Sequence, residues 1–222
     1  MKWVMSDPVS PSRAGLPVVA PKIGDVAPDF SARTTQGRLR LSDLRGRWVL
    51  LFSHPADFTP VCTSEFLAFA AASDRFQAMN CALLGLSVDS LSAHLAWVEA
   101  IRAQFGVTIP FPIIEDPSMA IARAYGMLDE TAESSATVRA VHAIDPEGVI
   151  RAVVWYPMSV GRSVAELLRL VAALQKVTAD NVLTPEGWMP GDDTVLPAVQ
   201  TQQDAAAAGP AWFMRMRPDH AA

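Results

Sequence analysis

An unbroken apolar run, Trp48-Val49-Leu50-Leu51-Phe52, leads into Ser53-His54-Pro55-Ala56-Asp57-Phe58-Thr59-Pro60-Val61-Cys62-Thr63-Ser64-Glu65 and then into a long helical pattern. The run reads as a buried strand. Thr59 suits an N-cap, and Pro60 suits the first helical position, where its missing N–H has no helical partner to lose. Val61 is then the second helical residue and Cys62 the third. A sulfur there sits among free backbone N–H groups at the positive end of the helix dipole, an environment that lowers a thiol pKa. A buried structural cysteine is the plain alternative, since free cysteines are among the most buried residues.

The flanking chain repeats the strand-then-helix order. The helix from Pro60 is predicted to run to about Met79, with Phe66, Leu67, Phe69, Ala70 and Phe76 on its apolar face and Asn80 as its stop. Cys81 to Val88 is a near-continuous apolar strand, the pattern of a parallel sheet covered on both faces. Asp89-Ser90 opens a second helix to about Phe105, with Leu91, Leu95, Trp97, Val98 and Ile101 as its apolar content, and Gly106 closes it. Phe111 to Ile114 is a short strand whose Pro112 puts it at an edge or marks a strand start. Asp116-Pro117 reads as N-cap and first residue of a short helix ending at Tyr125-Gly126, and Asp129 to Ser135 as a polar loop. Thr137 to Ile144 and Val149 to Trp155 flank the turn Asp145-Pro146-Glu147-Gly148 as an antiparallel hairpin. Ser163-Val164-Ala165-Glu166 is a capping box for a helix through Lys176.

This order implies an α/β fold: a thioredoxin-like mixed sheet with helices on both faces, plus a C-terminal arm. Active sites of open α/β sheets lie beyond the carboxyl ends of the strands, which is where Cys62 falls. Three parts are expected: a Pro-rich tail over 1–21, the main domain over 22–177, and an arm over 178–222. The arm is punctuated by Pro and Gly, has an Ala-rich stretch from Gln202 to Gly209, and cannot build a core alone. It is expected to pack on the main domain or on a second subunit.

Composition excludes several classes. Net charge is −5 without a block of Lys or Arg, so nucleic-acid binding is not expected. No apolar run approaches a membrane span, so no membrane partner is expected, and Asp7, Pro8, Pro11 and Arg13 interrupt any signal-peptide core. Two cysteines in 222 residues do not make a disulfide scaffold, which leaves a reducing, cytoplasmic setting as the default. His54, His94, His142 and His220 show no paired ligand spacing, so no metal site is expected, and no phosphate-cradling Gly loop points to a cofactor.

Pro55-x-x-x-Thr59-x-x-Cys62 matches the active-site motif of the peroxiredoxins, and the run from Phe52 to Glu65 closely resembles the one-cysteine group of that family. The resemblance continues through Leu86 to Ser90, His94 to Trp97, Phe111 to Ile114, Tyr125 to Asp129, Val138-Arg139, Tyr156-Pro157, Gly161-Arg162 and Thr184 to Trp188. It implies a thiol-dependent peroxidase acting on hydrogen peroxide and small organic hydroperoxides, with Cys62 as the attacking thiolate and a sulfenic acid intermediate. It further implies that Arg139 supports the thiolate and the transition state, that Thr59 hydrogen-bonds the peroxide, and that Pro55 shields the sulfur. Glu65 and Arg162 form a supporting network, and His54 lies near the thiolate in a secondary role. By themselves, Arg139, Glu65 and Arg162 read more readily as solvated surface charges, and His54 as a packed core histidine.

Cys81, in a core strand, is expected to be structural, and the arm has no cysteine, so the reductant must be an external thiol or protein. The resemblance also implies a homodimer or higher homo-oligomer, with Trp188, Leu196 and Trp212 as apolar contacts of the arm. Leu44-Arg45-Gly46-Arg47-Trp48 lacks the Ser of the lipase motif seen before this strand in some relatives, so no phospholipase activity is expected. A redox relay and an oligomeric holdase are the competing readings.

Overall fold

The computed structural model describes residues 20–128 and 134–219. All six residues of the strand Trp48–Ser53 (β3) are buried, as its apolar run requires. β3 pairs in parallel with Cys81–Ser87 (β4), which pairs in parallel with Ile113–Glu115 (β5). On its other side β3 pairs antiparallel with Arg139–Ile144 (β6), which forms the expected hairpin with Ile150–Tyr156 (β7). A further hairpin, Ser31–Thr34 (β1) with Gly37–Arg40 (β2), adds to β5 and completes the order β2-β1-β5-β4-β3-β6-β7.

β3 has neighbours on both sides, so its alternate residues feed two cores. Trp48, Leu50 and Phe52 join Phe66, Phe69 and Phe76 of helix Pro60–Ala78 (α1), Trp97 and Ile101 of helix Leu91–Phe105 (α2), and Leu167, Leu168 and Val171 of helix Val164–Asp180 (α4). Val49 and Leu51 face Leu84, Ile114, Tyr125 and Ile144 together with the short helix Ala120–Ala124 (α3). Helices therefore cover both faces of a mixed sheet, the thioredoxin-like arrangement anticipated.

Several expectations are corrected. α3 starts at Ala120 rather than at Asp116-Pro117. Those residues make a turn that ends on Met119 at φ +59°, and the Asp116 carboxylate instead accepts from the Ala122 N–H at 2.7 Å. On α2, Leu95 is half exposed and His94 takes the inward position beside Trp97 and Ile101. α4 passes Lys176 and ends at Asp180, where Asn181 takes the left-handed conformation at φ +49°. Ser163 Oγ accepts from the Glu166 N–H, but the Glu166 carboxylate turns to Arg169, so only half of the capping box forms. β1 escaped sequence reading because its residues, Ser-Ala-Arg-Thr, carry no apolar run. Most of the Pro-rich tail (1–19) and of the loop from Asp129 (129–133) lie outside the described residues.

The arm is more structured than its composition implied. The Ala-rich stretch forms helix Gln202–Ala208 (α5), and Thr194–Val195 (β8) pairs with Met216–Arg217 (β9). Trp188 is only 3% exposed, with its indole N–H on Asp192 O and its carbonyl accepting from Arg169 of α4. It therefore packs within its own chain and offers no free apolar area. Leu196 is half-buried, and Trp212 and Phe213 are exposed. No helix among the described residues is long and apolar enough to cross a membrane.

Candidate active site

Cys62 lies in the first turn of α1, beyond the carboxyl end of β3. Thr59 is in extended backbone (φ −99°, ψ 147°) and its carbonyl accepts from the Thr63 N–H, so it occupies the cap position. Its side chain does not cap: the hydroxyl donates to Ala56 O at 2.9 Å, which leaves the oxygen's lone pairs free to accept. Cys62 is fully buried, and Pro55 is buried.

Two arginines from distant parts of the chain, Arg139 and Arg162, close on that turn and on its Glu65. Arg139 of β6 is 2% exposed, and its Nη1 lies 3.4 Å from Cys62 Sγ and 2.7 Å from Glu65 Oε2. Its Nε donates to Met158 O, which fixes the guanidinium plane. Glu65 follows Cys62 by three residues, so both share one helix face. Arg162 donates to Glu65 through its backbone N, Nε and Nη2 at 2.7–2.8 Å, and through Nη1 to Ser53 O and Ala140 O. Its guanidinium lies over the Phe52 ring at 5.3 Å. Burial pushes the Glu65 carboxyl up, but the hydrogen bonds and charge of Arg162, with the charge of Arg139, hold it below its ordinary value. The solvated-surface alternative for these residues is thus ruled out.

His54 is wholly buried against Phe66 and Trp97. Its Nε2 lies 2.9 Å from Asp57 Oδ1, its carbonyl accepts from Thr137 Oγ1, and its Nδ1 has no hydrogen-bond partner among the described residues. Burial holds its pKa below the ordinary 6.5 despite the opposing Asp57 contact. The other Asp57 oxygen lies 2.8 Å from His94 Nδ1. His54, Asp57 and His94 thus have nitrogen and oxygen atoms within 4.8 Å of one another, a grouping that spacing along the chain had hidden. Its two His–Asp contacts have hydrogen-bond lengths.

Cys81 opens β4 opposite Trp48, at the far end of the strand that delivers Cys62. Six residues of β3 intervene, roughly 16 Å. Cys81 is 3% exposed, and burial pushes its thiol up to about 12. Both cysteines are free.

The model of the AhpC/TSA family matches residues 23–153, and that of the C-terminal domain of 1-Cys peroxiredoxin matches residues 173–208. The chain is 50% identical over 184 residues to Peroxiredoxin 2 of Caldanaerobacter subterraneus subsp. tengcongensis, covering 83% of each chain. It is 45% identical over 215 residues to a peroxiredoxin of Methanosarcina mazei, covering 90% of this chain and 98% of the relative. The chain belongs to the peroxiredoxin family. Among solved structures, a yeast mitochondrial 1-Cys peroxiredoxin matches with a TM-score of 0.80 at 37% identity, covering 89% of this chain and 99% of that one. A mutant of the Peroxiredoxin 6 of Arenicola marina matches with a TM-score of 0.81 at 32% identity, covering 91% and 100%. As a peroxiredoxin, the chain is a thiol-dependent peroxidase of thioredoxin-like fold with the C-terminal extension of the one-cysteine group.

Asp57 and His94 were missed as site residues by sequence reasoning. The signals were present: His54 and Asp57 stand three apart, and His94 shares the buried stripe of Trp97 and Ile101 at helical spacing.

Proposed function

We propose that Cys62 is the thiolate that attacks peroxide. The observation that carries this reading is the 3.4 Å approach of Arg139 Nη1 to the Cys62 sulfur inside a buried charged cluster. Two buried guanidiniums, Arg139 and Arg162, face one buried carboxylate, Glu65, which leaves one positive charge in excess. An anionic sulfur at Cys62 brings the cluster to charge balance, and unbalanced buried charge is costly. The sulfur electron pair attacks the hydroxyl oxygen of the peroxide, the S–O bond forms as the O–O bond breaks, and the leaving oxygen takes up from solvent the equivalent of the proton the thiol released on ionising, departing as water or alcohol. Cys62 remains as a sulfenic acid.

Arg139 stabilises the negative charge that spreads onto the oxygens in this step. The free lone pairs of Thr59 Oγ1 accept the peroxide O–H, and Pro55 keeps water from the sulfur. Glu65 and Arg162 hold Arg139 in place. His54 packs beneath the loop and touches no reacting atom. A groove of about 820 Å³ lined by Phe58, Leu67, Trp97, Ile101 and Phe105 starts at Thr59 and Pro60, which supports small organic hydroperoxides as substrates beside hydrogen peroxide.

An external thiol or protein returns Cys62 to the thiol, since Cys81 lies at the other end of the sheet. The thiol of the yeast mitochondrial 1-Cys peroxiredoxin is resolved via glutathione/thioredoxin systems, and reductants of that class fit here. A homodimer or larger homo-oligomer is supported by the outer edge of β7 beyond Ile150, which no strand among the described residues covers and where Trp155 is 46% exposed, and by Met158, Val160 and Phe213. A cytoplasmic setting suits two unpaired thiols. Hydrogen peroxide consumption with dithiothreitol as reductant tests the reading. Turnover in wild type and none in Cys62→Ser is expected, and equal turnover in both would overturn it.

A further inference from the structure

The loop between β3 and α1 bends where an ordinary side chain resists bending. Phe58 sits at φ +56°, a left-handed conformation uncommon for a bulky residue, and its ring is 60% exposed. Such a conformation persists only where the surroundings over-determine it. Its own side chain is not what holds it.

The hold comes from the preceding residue. The Asp57 N–H donates to Asp89 Oδ2, and Asp89 is itself fixed by Ser87 Oγ at the end of β4. The Asp57 carboxylate spans two buried imidazoles, His54 through Oδ1 and His94 of α2 through Oδ2. Asp57 is therefore tied to the segment joining β4 and α2 through both backbone and side chain. Thr59, two residues on, begins the turn that carries Cys62.

The contacts also set a proton count. His94 Nε2 faces the Ile114 carbonyl at 3.2 Å, an acceptor only, so that nitrogen carries hydrogen. A neutral His94 would then turn a bare Nδ1 lone pair toward a carboxylate oxygen 2.8 Å away, two acceptors in contact. A second proton must lie between them. His54 needs no extra proton: its Nε2–H donates to Oδ1 and its bare Nδ1 has no partner among the described residues.

We infer that Asp57 and His94 are positioning residues for the peroxide reaction, one proton held between His94 Nδ1 and Asp57 Oδ2 fixing the Phe58 bend and so the Thr59 hydroxyl and the Cys62 turn. The inference rests on the reading of Cys62 given above. Neither residue touches the sulfur, and each acts through the loop.

The charge itself is not essential to this geometry. An amide at position 57 accepts from His54 Nε2–H through its oxygen and donates to a bare His94 Nδ1 through its NH₂, with no extra proton. Asp57→Asn therefore rescues the position while changing the proton count.

The test reacts hydrogen peroxide with the reduced protein by stopped flow, alkylates Cys62 with iodoacetamide, and records long-range ¹H–¹⁵N correlations of ¹⁵N-histidine protein. His94→Leu is expected to slow the peroxide reaction by at least about tenfold, because small misplacements of reacting groups cost that much or more. Alkylation, which does not use Thr59, falls less. Asp57→Asn stays within about threefold of wild type. The His94 ring carries hydrogen on both nitrogens in wild type and on one in Asp57→Asn.

A packing role alone would lower the unfolding midpoint of His94→Leu and leave the ratio of peroxide rate to alkylation rate unchanged. That result overturns the inference, as does a singly protonated His94 in wild type. Should His94→Leu not fold, Asp57→Asn and the ring spectra decide. A wild type that does not react with peroxide defeats the reading of Cys62 instead, a failure separate from a wild type and a His94→Leu that react equally fast.

Discussion

Replacing Glu65 by Gln probes the charged cluster most sharply. The carboxylate is 2% exposed and accepts from Arg139 Nη1 and from the backbone N, Nε and Nη2 of Arg162. An amide keeps one acceptor oxygen and turns an NH₂ toward guanidinium N–H groups. About half of the hydrogen bonds are lost, and two buried cations lose their counter-charge. Hydrogen bonds to charged groups are worth about 1.5–3 kcal/mol each, and removing one partner of a buried ion pair costs about 3–5 kcal/mol. The two routes agree on a loss of about 3–5 kcal/mol at neutral pH. For a chain of this size that lowers the thermal midpoint by roughly 6–20 °C. Because the folded pKa of Glu65 lies below its ordinary 4.5, its stabilisation is full above that pH and is lost as pH falls through the lower folded value. The gap between wild type and Glu65→Gln should therefore close on acidification. Calorimetry at pH 7.5 reads the first effect, and a series carried from pH 4.5 downward reads the second. A midpoint within about 2 °C of wild type at pH 7.5 would refute the placement of two buried guanidiniums on one carboxylate.

Arg139→Met removes the charge beside the sulfur and is expected to slow Cys62 oxidation by about 10²–10³-fold in stopped flow, the usual cost of losing one charge-stabilising donor. Cys81→Ala should leave that rate unchanged, and Cys81, its thiol pushed up to about 12, should resist iodoacetamide in the folded protein at pH 8. His142 is buried with neither ring nitrogen hydrogen-bonded among the described residues, and burial pushes it down to about 4 from 6.5. The unfolded chain takes up this proton below pH 6.5 and the folded one not until about 4, so wild type loses about 3 kcal/mol across that window. Urea unfolding of His142→Leu between pH 7.5 and 4 should show that much less acid sensitivity, and an unchanged slope would contradict a neutral buried His142.

The run from Trp48 to Glu65 was legible because its chemistry is local: an apolar strand, a Thr-Pro start and a cysteine one turn in follow from covalent adjacency. Arg139 and Arg162 were not legible in this way. Alone, each reads as a surface cation, and only the family pattern pointed to burial, since the β6–β7 hairpin and the start of α4 bring them to Glu65 from far along the chain. Thr59 was half read: its backbone caps α1, but its hydroxyl turns to Ala56. On α2, apolar content alone did not single out the inward face: the 3.6-residue period buries His94 with Trp97 and Ile101 and leaves Leu95 half exposed. The arm was hardest. β8 and β9 form on one another, and the arm meets α4 through Arg169 on the Trp188 carbonyl and Lys176 on Asp219; tertiary contacts of this kind leave little trace in a Pro- and Ala-rich sequence.

Intact-protein mass after one equivalent of hydrogen peroxide in the presence of dimedone, on wild type and Cys62→Ser, addresses the sulfur directly. Rapid addition of one dimedone to wild type and none to Cys62→Ser is expected, because the buried charge cluster selects that sulfur and leaves Cys81 inert. Equal labelling of the two proteins, or of neither, would contradict the assignment of Cys62 as the sulfur that peroxide oxidises.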